Sequence, residues 1–182
     1  MAARLCNGHA CEQRFFVLTD GPGSGKTTLS EALARAGHGR SQEASRGVIQ
    51  DQVAIGGPAV PWRDPQLFVE HIMSWELRSY REAASWPGPV FFDRSLAELP
   101  CHYRRRGQPV PDHVHAAATT LRFRRQVFIA PPWPEIYVQD AERKQGLAEA
   151  EEVYRVVSAG YAEYGYELVT LPRSPVEARL EF

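Results

Sequence analysis

The nine residues DGPGSGKTT (Asp20–Thr28) stand between an apolar run, FFVLT (Phe15–Thr19), and a helical one, LSEALARA (Leu29–Ala36). No other stretch restricts the fold as much. A buried strand has to end here, the chain has to turn, and a helix has to start at once. Gly21, Gly23 and Gly25 adopt positive φ without steric cost, so successive backbone N–H groups can converge on one anion. Lys26 adds a mobile charge at the mouth of that nest, and the Thr27 hydroxyl lies beside it. Leu29, Ala32, Leu33 and Ala36 then share one helix face, and Gly37 supplies the stop. Strand, glycine loop and helix N-terminus form the context in which G-x-x-x-x-G-K-[ST] cradles phosphates. The opening position departs from the pattern, being Asp20 where glycine is expected. A carboxylate at a strand end can turn away from the phosphates, and it repels them only if it turns inward. Gly21, Pro22, Gly23, Ser24, Gly25, Lys26, Thr27 and Thr28 are therefore read as the phosphate cradle.

Apolar runs alternate with helical patterns along the rest of the chain, which predicts an α/β fold with a mainly parallel sheet. Strands are expected at about 14–19, 89–93, 125–130 and 166–171, with a weaker one near 38–42. Helices are expected over 26–36, 64–85, 95–105, 111–122, 147–164 and 175–181. Phe68, Ile72, Trp75 and Tyr80 give the second helix a rough apolar stripe. With 182 residues and no long linker or internal repeat, one domain over 14–182 is expected, preceded by an irregular leader over 1–13. A net charge of −1 gives no global field toward nucleic acid or an acidic membrane. No apolar run approaches the roughly 20 residues of a membrane span. Because the N-terminus lacks an apolar signal core, the expected location is the cytoplasm. Cys6, Cys11 and Cys101 make no disulfide framework, and Cys6, His9 and Cys11 lack a fourth partner for a zinc site.

A nucleotide site also needs a carboxylate to hold magnesium, and PVFFD (Pro89–Asp93) ends a buried strand with one. At the carboxyl end of its strand Asp93 shares a rim with the phosphate loop, or else it caps the following helix. Arg94 beside it can bind a phosphate or an acidic acceptor bidentately. QDAERKQG (Gln139–Gly146) concentrates Arg143 and Lys144, either as a lid bringing cations over a transferring phosphoryl group or as a solvated loop. Glu43 follows the expected second strand, where it can serve as a base toward an acceptor hydroxyl, with Arg46 one turn on. The other reading is a helix N-terminus with Ser41 as its cap and Glu43 complementing the dipole. Trp62 either stacks on a base or pins its connector to the core. The clusters Arg104–Arg106 and Arg122, Arg124, Arg125 read as exposed faces, and neither justifies a nucleic-acid partner.

Taken in order, GPGSGKTT, EASR, PW-x-D, FFDRS, VF-x-x-PPW, IY-x-x-D-x-ER and GYELV-x-LP make a wider pattern over residues 14–181. The chain thereby resembles the small bacterial P-loop "predicted ATPase" family, AAA-type by profile and kinase-like in structure, and more distantly the ribosylnicotinamide kinases and other nucleoside and nucleotide kinases. The resemblance implies a three-layer, doubly wound parallel sheet of five strands of nucleoside-kinase type. It implies that Gly21 to Thr28 bind the nucleotide phosphates and that Asp93, with Thr27, serves Mg²⁺. Arg94 would face the acceptor and Arg143 would be the lid arginine, while Glu43 matches an acceptor-side carboxylate. Pro172, Arg173 and Ser174 fall where kinase relatives pass a loop beside the adenine.

The function these readings favour is Mg·ATP-dependent phosphoryl transfer to a small-molecule acceptor. Lys26, Asp93, Glu43 and Arg143 would be the catalytic groups, with Glu43, Arg46 and Arg94 holding the acceptor. Because no N-K-x-D string occurs, adenine is the expected base, with GTP left open. The competing class is a nucleotide-binding switch or slow ATPase read by a protein partner. A formed acceptor pocket lined by Glu43, Arg46 and Arg94 favours the kinase; if those side chains instead pair with one another and close the cleft, the switch gains. A third reading is a degenerate loop in which Asp20 has abolished nucleotide binding.

Overall fold

The apolar run at residue 15 becomes the first and central strand, β1 (Phe15–Asp20). Its side chains alternate between two cores, as a period of two requires. Phe15 and Val17 enter a large cluster on one face of the sheet, and Leu18 enters a smaller one on the other. The computed structural model describes residues 13–20, 24–136 and 147–182, with the backbone alone for Asp20 and Leu147. From β1 the chain runs through α1 (Lys26–Arg35), β2 (Gly39–Arg40), α2 (Ala44–Ile55), α3 (Pro65–Ala83) and β3 (Val90–Asp93). A 3₁₀ turn (Leu96–Glu98), α4 (Leu99–Arg104), α5 (Asp112–Thr120), β4 (Gln126–Ala130), α6 (Leu147–Glu163), β5 (Glu167–Thr170) and α7 (Val176–Glu181) follow.

The five strands are all parallel, in the order β2-β3-β1-β4-β5. After β1 the chain crosses to the edge at β2, returns to β3 beside β1, and then builds outward on the other side through β4 and β5. In such sheets ligands bind outside the carboxyl ends of the strands where the winding reverses, and β1 delivers the glycine loop there. α1 and α7 cover one face through Leu29, Leu33 and Val176. α2, α3, α5 and α6 supply Val48, Phe68, Ile72, Val114, Val157 and Tyr161 to the other. Phe15, Tyr80, Phe92 and Phe123 meet in that core at centroid distances of 5.0 to 6.5 Å, several of them edge to face.

The expected strands and helices are present, with two differences. The helix expected over 95–105 is split, because Pro100 has no N–H to bond back to Leu96; a 3₁₀ turn precedes it and α4 takes Pro100 into its first turn. α2, a helix that the sequence offered only as the other reading of Ser41 and Glu43, starts after Glu43, which is its N-cap residue. Ser41 does not cap it: its hydroxyl accepts the Asp93 backbone N–H at 3.0 Å and so ties the β2 segment to the end of β3. The 1–13 leader expectation falls almost wholly on residues 1–12, outside the described residues. No helix among the described residues is long and apolar enough to cross a membrane.

Candidate nucleotide and acceptor site

Gly25 lies at φ +77° as the N-cap of α1, a conformation that glycine adopts freely. It also needs the room: an added Cβ would stand 3.1 Å from Arg179 Nη1 and 3.2 Å from Ile136 Cδ1. Arg179, buried in α7, donates to the Ser24 carbonyl at 3.1 Å, so the last helix braces the phosphate loop from beneath. Ser24 is itself buried, and Thr27 and Thr28 are exposed at the start of α1. Sequence reasoning did not single out Arg179, since one arginine in a six-residue helix carries no pattern. Arg173, the residue it expected near the nucleotide, lies exposed between β5 and α7. Gly21, Pro22, Gly23 and Arg143 lie outside the described residues.

The parallel register pairs Leu18 with Asp93, which puts the acid of β3 beside the loop of β1. There the Lys26 ammonium, 4 % exposed, pairs with Asp93 Oδ1. Burial pushes the Asp93 carboxyl upward, Lys26 pulls it back, Glu43 pushes it up again, and the net direction is up. Among the described residues no group of three or more His, Cys, Asp or Glu side chains is arranged to hold a metal. Mg²⁺ asks for less: it takes oxygen ligands and is commonly held by one or two protein groups plus the phosphates. The Thr27 hydroxyl and the Asp93 carboxylate suit it chemically.

Across the crevice, Arg94 follows β3 at φ +73°, the one non-glycine residue at positive φ among those described. That conformation costs an L-residue about 1–2 kcal/mol, and it persists because its surroundings hold it. The Arg94 N–H donates to the Leu18 carbonyl at 2.9 Å. Its guanidinium meets Glu98 Oε2 at 3.0 Å and Glu43 Oε1 at 3.6 Å. Glu43 also accepts from the Ser45 hydroxyl at 2.9 Å and faces Arg46 Nε at 3.9 Å. Burial alone would raise the Glu43 pKa, but Lys26, Arg94, the Ser45 hydroxyl and Arg46 together bring it down to about 2. The three expected acceptor-side residues are therefore together, and they pair with one another.

Behind Arg94 stands a second tier that sequence reasoning missed. Glu98 is buried; its Oε1 accepts the Tyr161 hydroxyl at 2.7 Å, and Tyr161 lies 2.9 Å from Ser95 Oγ. Tyr161, on α6, thus fixes the carboxylate that fixes Arg94. Tyr161→Phe leaves Glu98 one hydrogen bond short, a loss of about 1–3 kcal/mol. The expected result is a fall in unfolding midpoint, which thermal melts of the wild type and the variant would check.

A glycine loop feeding α1, with its lysine held by the acid of the adjoining parallel strand, makes this a P-loop NTPase domain of nucleoside-kinase-like architecture. The family model for the AAA domain matches residues 15–179, and the chain belongs to that family. Among solved structures it is similar to the NadR protein in complex with NR, with a TM-score of 0.67 and 20% identity over 87% of this chain. It spans 45% of the length of that NadR chain. It is also similar to a deoxyadenosine kinase from M. mycoides with products dCMP and a flexible dCDP bound, with a TM-score of 0.60 and 14% identity over 92% of this chain and 95% of that one. No curated protein matches the chain.

Proposed function

We propose that this protein transfers the terminal phosphoryl group of Mg·ATP to a hydroxyl of a small-molecule acceptor. One observation carries the reading: the loop lysine and its acid, Lys26 and Asp93, share a crevice with an ionised carboxylate between two arginines, Glu43 with Arg94 and Arg46. The loop amides of Gly21 to Thr28 and the Lys26 ammonium hold the β- and γ-phosphates, drawing Lys26 away from Asp93. Thr27 and Asp93 are the residues to hold Mg²⁺, which supplies charge neutralisation between the phosphate oxygens when bound. Glu43, with a pKa of about 2, is a weak base but a constant hydrogen-bond acceptor, so it orients the attacking hydroxyl. The new O–P bond forms as the bond from the γ-phosphorus to the ADP oxygen breaks, and the hydroxyl proton leaves late in such a loose transition state, by way of the Glu43 carboxylate to water. Arg143 offsets the developing charge from the lid side. A nucleoside-sized acceptor is the reading that the ligands of the neighbouring structures favour.

The mutual pairing of Glu43, Arg46 and Arg94 favours a second reading, a nucleotide-binding switch or slow ATPase that acts through a protein partner. ADP formation from Mg·ATP separates the two, measured alone and with a panel of nucleosides, nucleotides and small hydroxylated metabolites. The expected result is ADP release that requires one acceptor class. Slow release indifferent to every acceptor would overturn the kinase reading and support the switch.

A further inference from the structure

At the end of the sheet away from the phosphate loop, a cleft of about 420 Å³ opens where β4 and β5 begin. That volume falls within the roughly 300–1,000 Å³ of small-molecule sites. Gln126 and Glu167, the first residues of the two strands, line it together with Gln13, which precedes β1. The six residues of β1 separate the cleft from the phosphate loop by about 20 Å, at roughly 3.3 Å per residue. Between α5 and β4 the chain alternates: Leu121 and Phe123 are buried, while Arg122 and Arg124 are half-buried and line the cleft. Both guanidiniums rest on aromatic rings, Arg122 at 4.1 Å from the Tyr166 centroid and Arg124 at 4.9 Å from that of Phe16. Among the described residues the Arg122 guanidinium makes no hydrogen bond or ion pair. That of Arg124 reaches the Gln13 carbonyl at 3.4 Å, long for an N–H···O contact. Arg125 already pairs with Glu167 at 2.9 Å, the one acid among the lining residues. The sequence reading of these three arginines as an exposed face therefore holds for Arg125 alone.

We propose that this cleft is a second anion site, separate from the phosphate loop, and that it binds a small phosphate monoester. A guanidinium is a planar fork of donors matched to phosphate oxygens, and stacking on a ring fixes its plane while leaving its edge open. Much of the cost of ordering two long side chains is thus met before any ligand arrives. The charge fits as well: a phosphate monoester carries about −1.5 to −2 at pH 7, and among the described residues Arg122 and Arg124 have no carboxylate against them. The Gln13 and Gln126 side chains offer neutral donors and acceptors for the rest of such a molecule. A long polyanion fits less well, because a net charge of −1 gives the chain no attractive field beyond the cleft. The assignment does not depend on the phosphotransferase reading of the crevice.

The test is calorimetric binding to the full chain with Mg·ADP at saturation, so that the phosphate loop is already filled. The probes are ribose 5-phosphate, inorganic phosphate, ribose and a short oligothymidylate. The wild type is expected to bind ribose 5-phosphate and inorganic phosphate, and to leave ribose unbound. Arg122→Gln and Arg124→Gln each weaken ribose 5-phosphate by about tenfold or more. Arg106→Gln, the same charge change on an exposed residue outside the cleft lining, alters it by about twofold at most. Thermal melts show which variants are folded, and either cleft variant alone suffices for the comparison. No binding of either phosphate probe, or unchanged affinity in a folded cleft variant, would overturn the assignment. Equal weakening by Arg106→Gln would show that net charge alone is read, and would overturn it too. Oligothymidylate bound far more tightly than ribose 5-phosphate, and lost in the same variants, would make the cleft a nucleic-acid surface and overturn the small-molecule assignment.

Discussion

Lys26→Ala lowers Mg·ATP turnover by about a thousandfold or more, because charge stabilisation is nearly all a protein contributes to phosphoryl transfer. The same change removes the buried counter-charge of Asp93. Breaking a buried pair from one side costs about 3–5 kcal/mol, because the remaining charge loses its partner. A lost activity and a lowered melting point would thus arrive together and be hard to separate. The double variant Lys26→Ala/Asp93→Asn separates them: the neutral amide restores most of the stability, and turnover stays absent. Thermal melts and ADP formation on the wild type, the single variant and the double variant check this. Turnover recovering along with stability would show that Lys26 serves the fold alone.

Glu43→Gln lowers acceptor-dependent turnover by about a hundredfold or more, with ATP binding retained, if the carboxylate orients the attacking hydroxyl. Its pH behaviour follows from the sign of its shift. The folded pKa, about 2, lies below the usual value of 4.5, so Glu43 contributes stability above pH 4.5 that is lost as pH falls toward 2. The wild type therefore loses this contribution across that window, and Glu43→Gln, which lacks it at every pH, is the less stable protein at neutral pH and approaches the wild type in acid. Urea unfolding at pH 7 and pH 3 reads the difference, and an equal gap at both would overturn the assignment.

The sheet was legible because its strands are short apolar runs bounded by glycine, proline or charge, as FFVLT and PVFFD are. The loop was legible because its glycines answer a local backbone demand. α2 was harder to see: Glu43 and Ala44 begin it without a side-chain cap, so the usual start signal is missing. Within the site, Glu43, Arg46 and Arg94 lie close together in space, as their positions after β2 and β3 imply. In α3 the burial of Glu76 was passed over, because an apolar stripe of Phe68, Ile72, Trp75 and Tyr80 leaves an acid reading as a solvent-facing neighbour. Its inward turn depends on packing between α3 and the 3₁₀ turn after β3. Tyr161 and Arg179 act on partners 63 and 155 residues away, Glu98 and Ser24, and no local pattern announces such a pairing.

The brace from α7 also sets an order of events during synthesis. The glycine loop leaves the ribosome early, but Arg179 follows Ser24 by 155 residues. A nascent chain stalled before α7 therefore holds the whole loop sequence and β1 without the guanidinium that secures the Ser24 carbonyl. The Ser24 carbonyl thus gains its Arg179 donor only once α7 has been made and has docked.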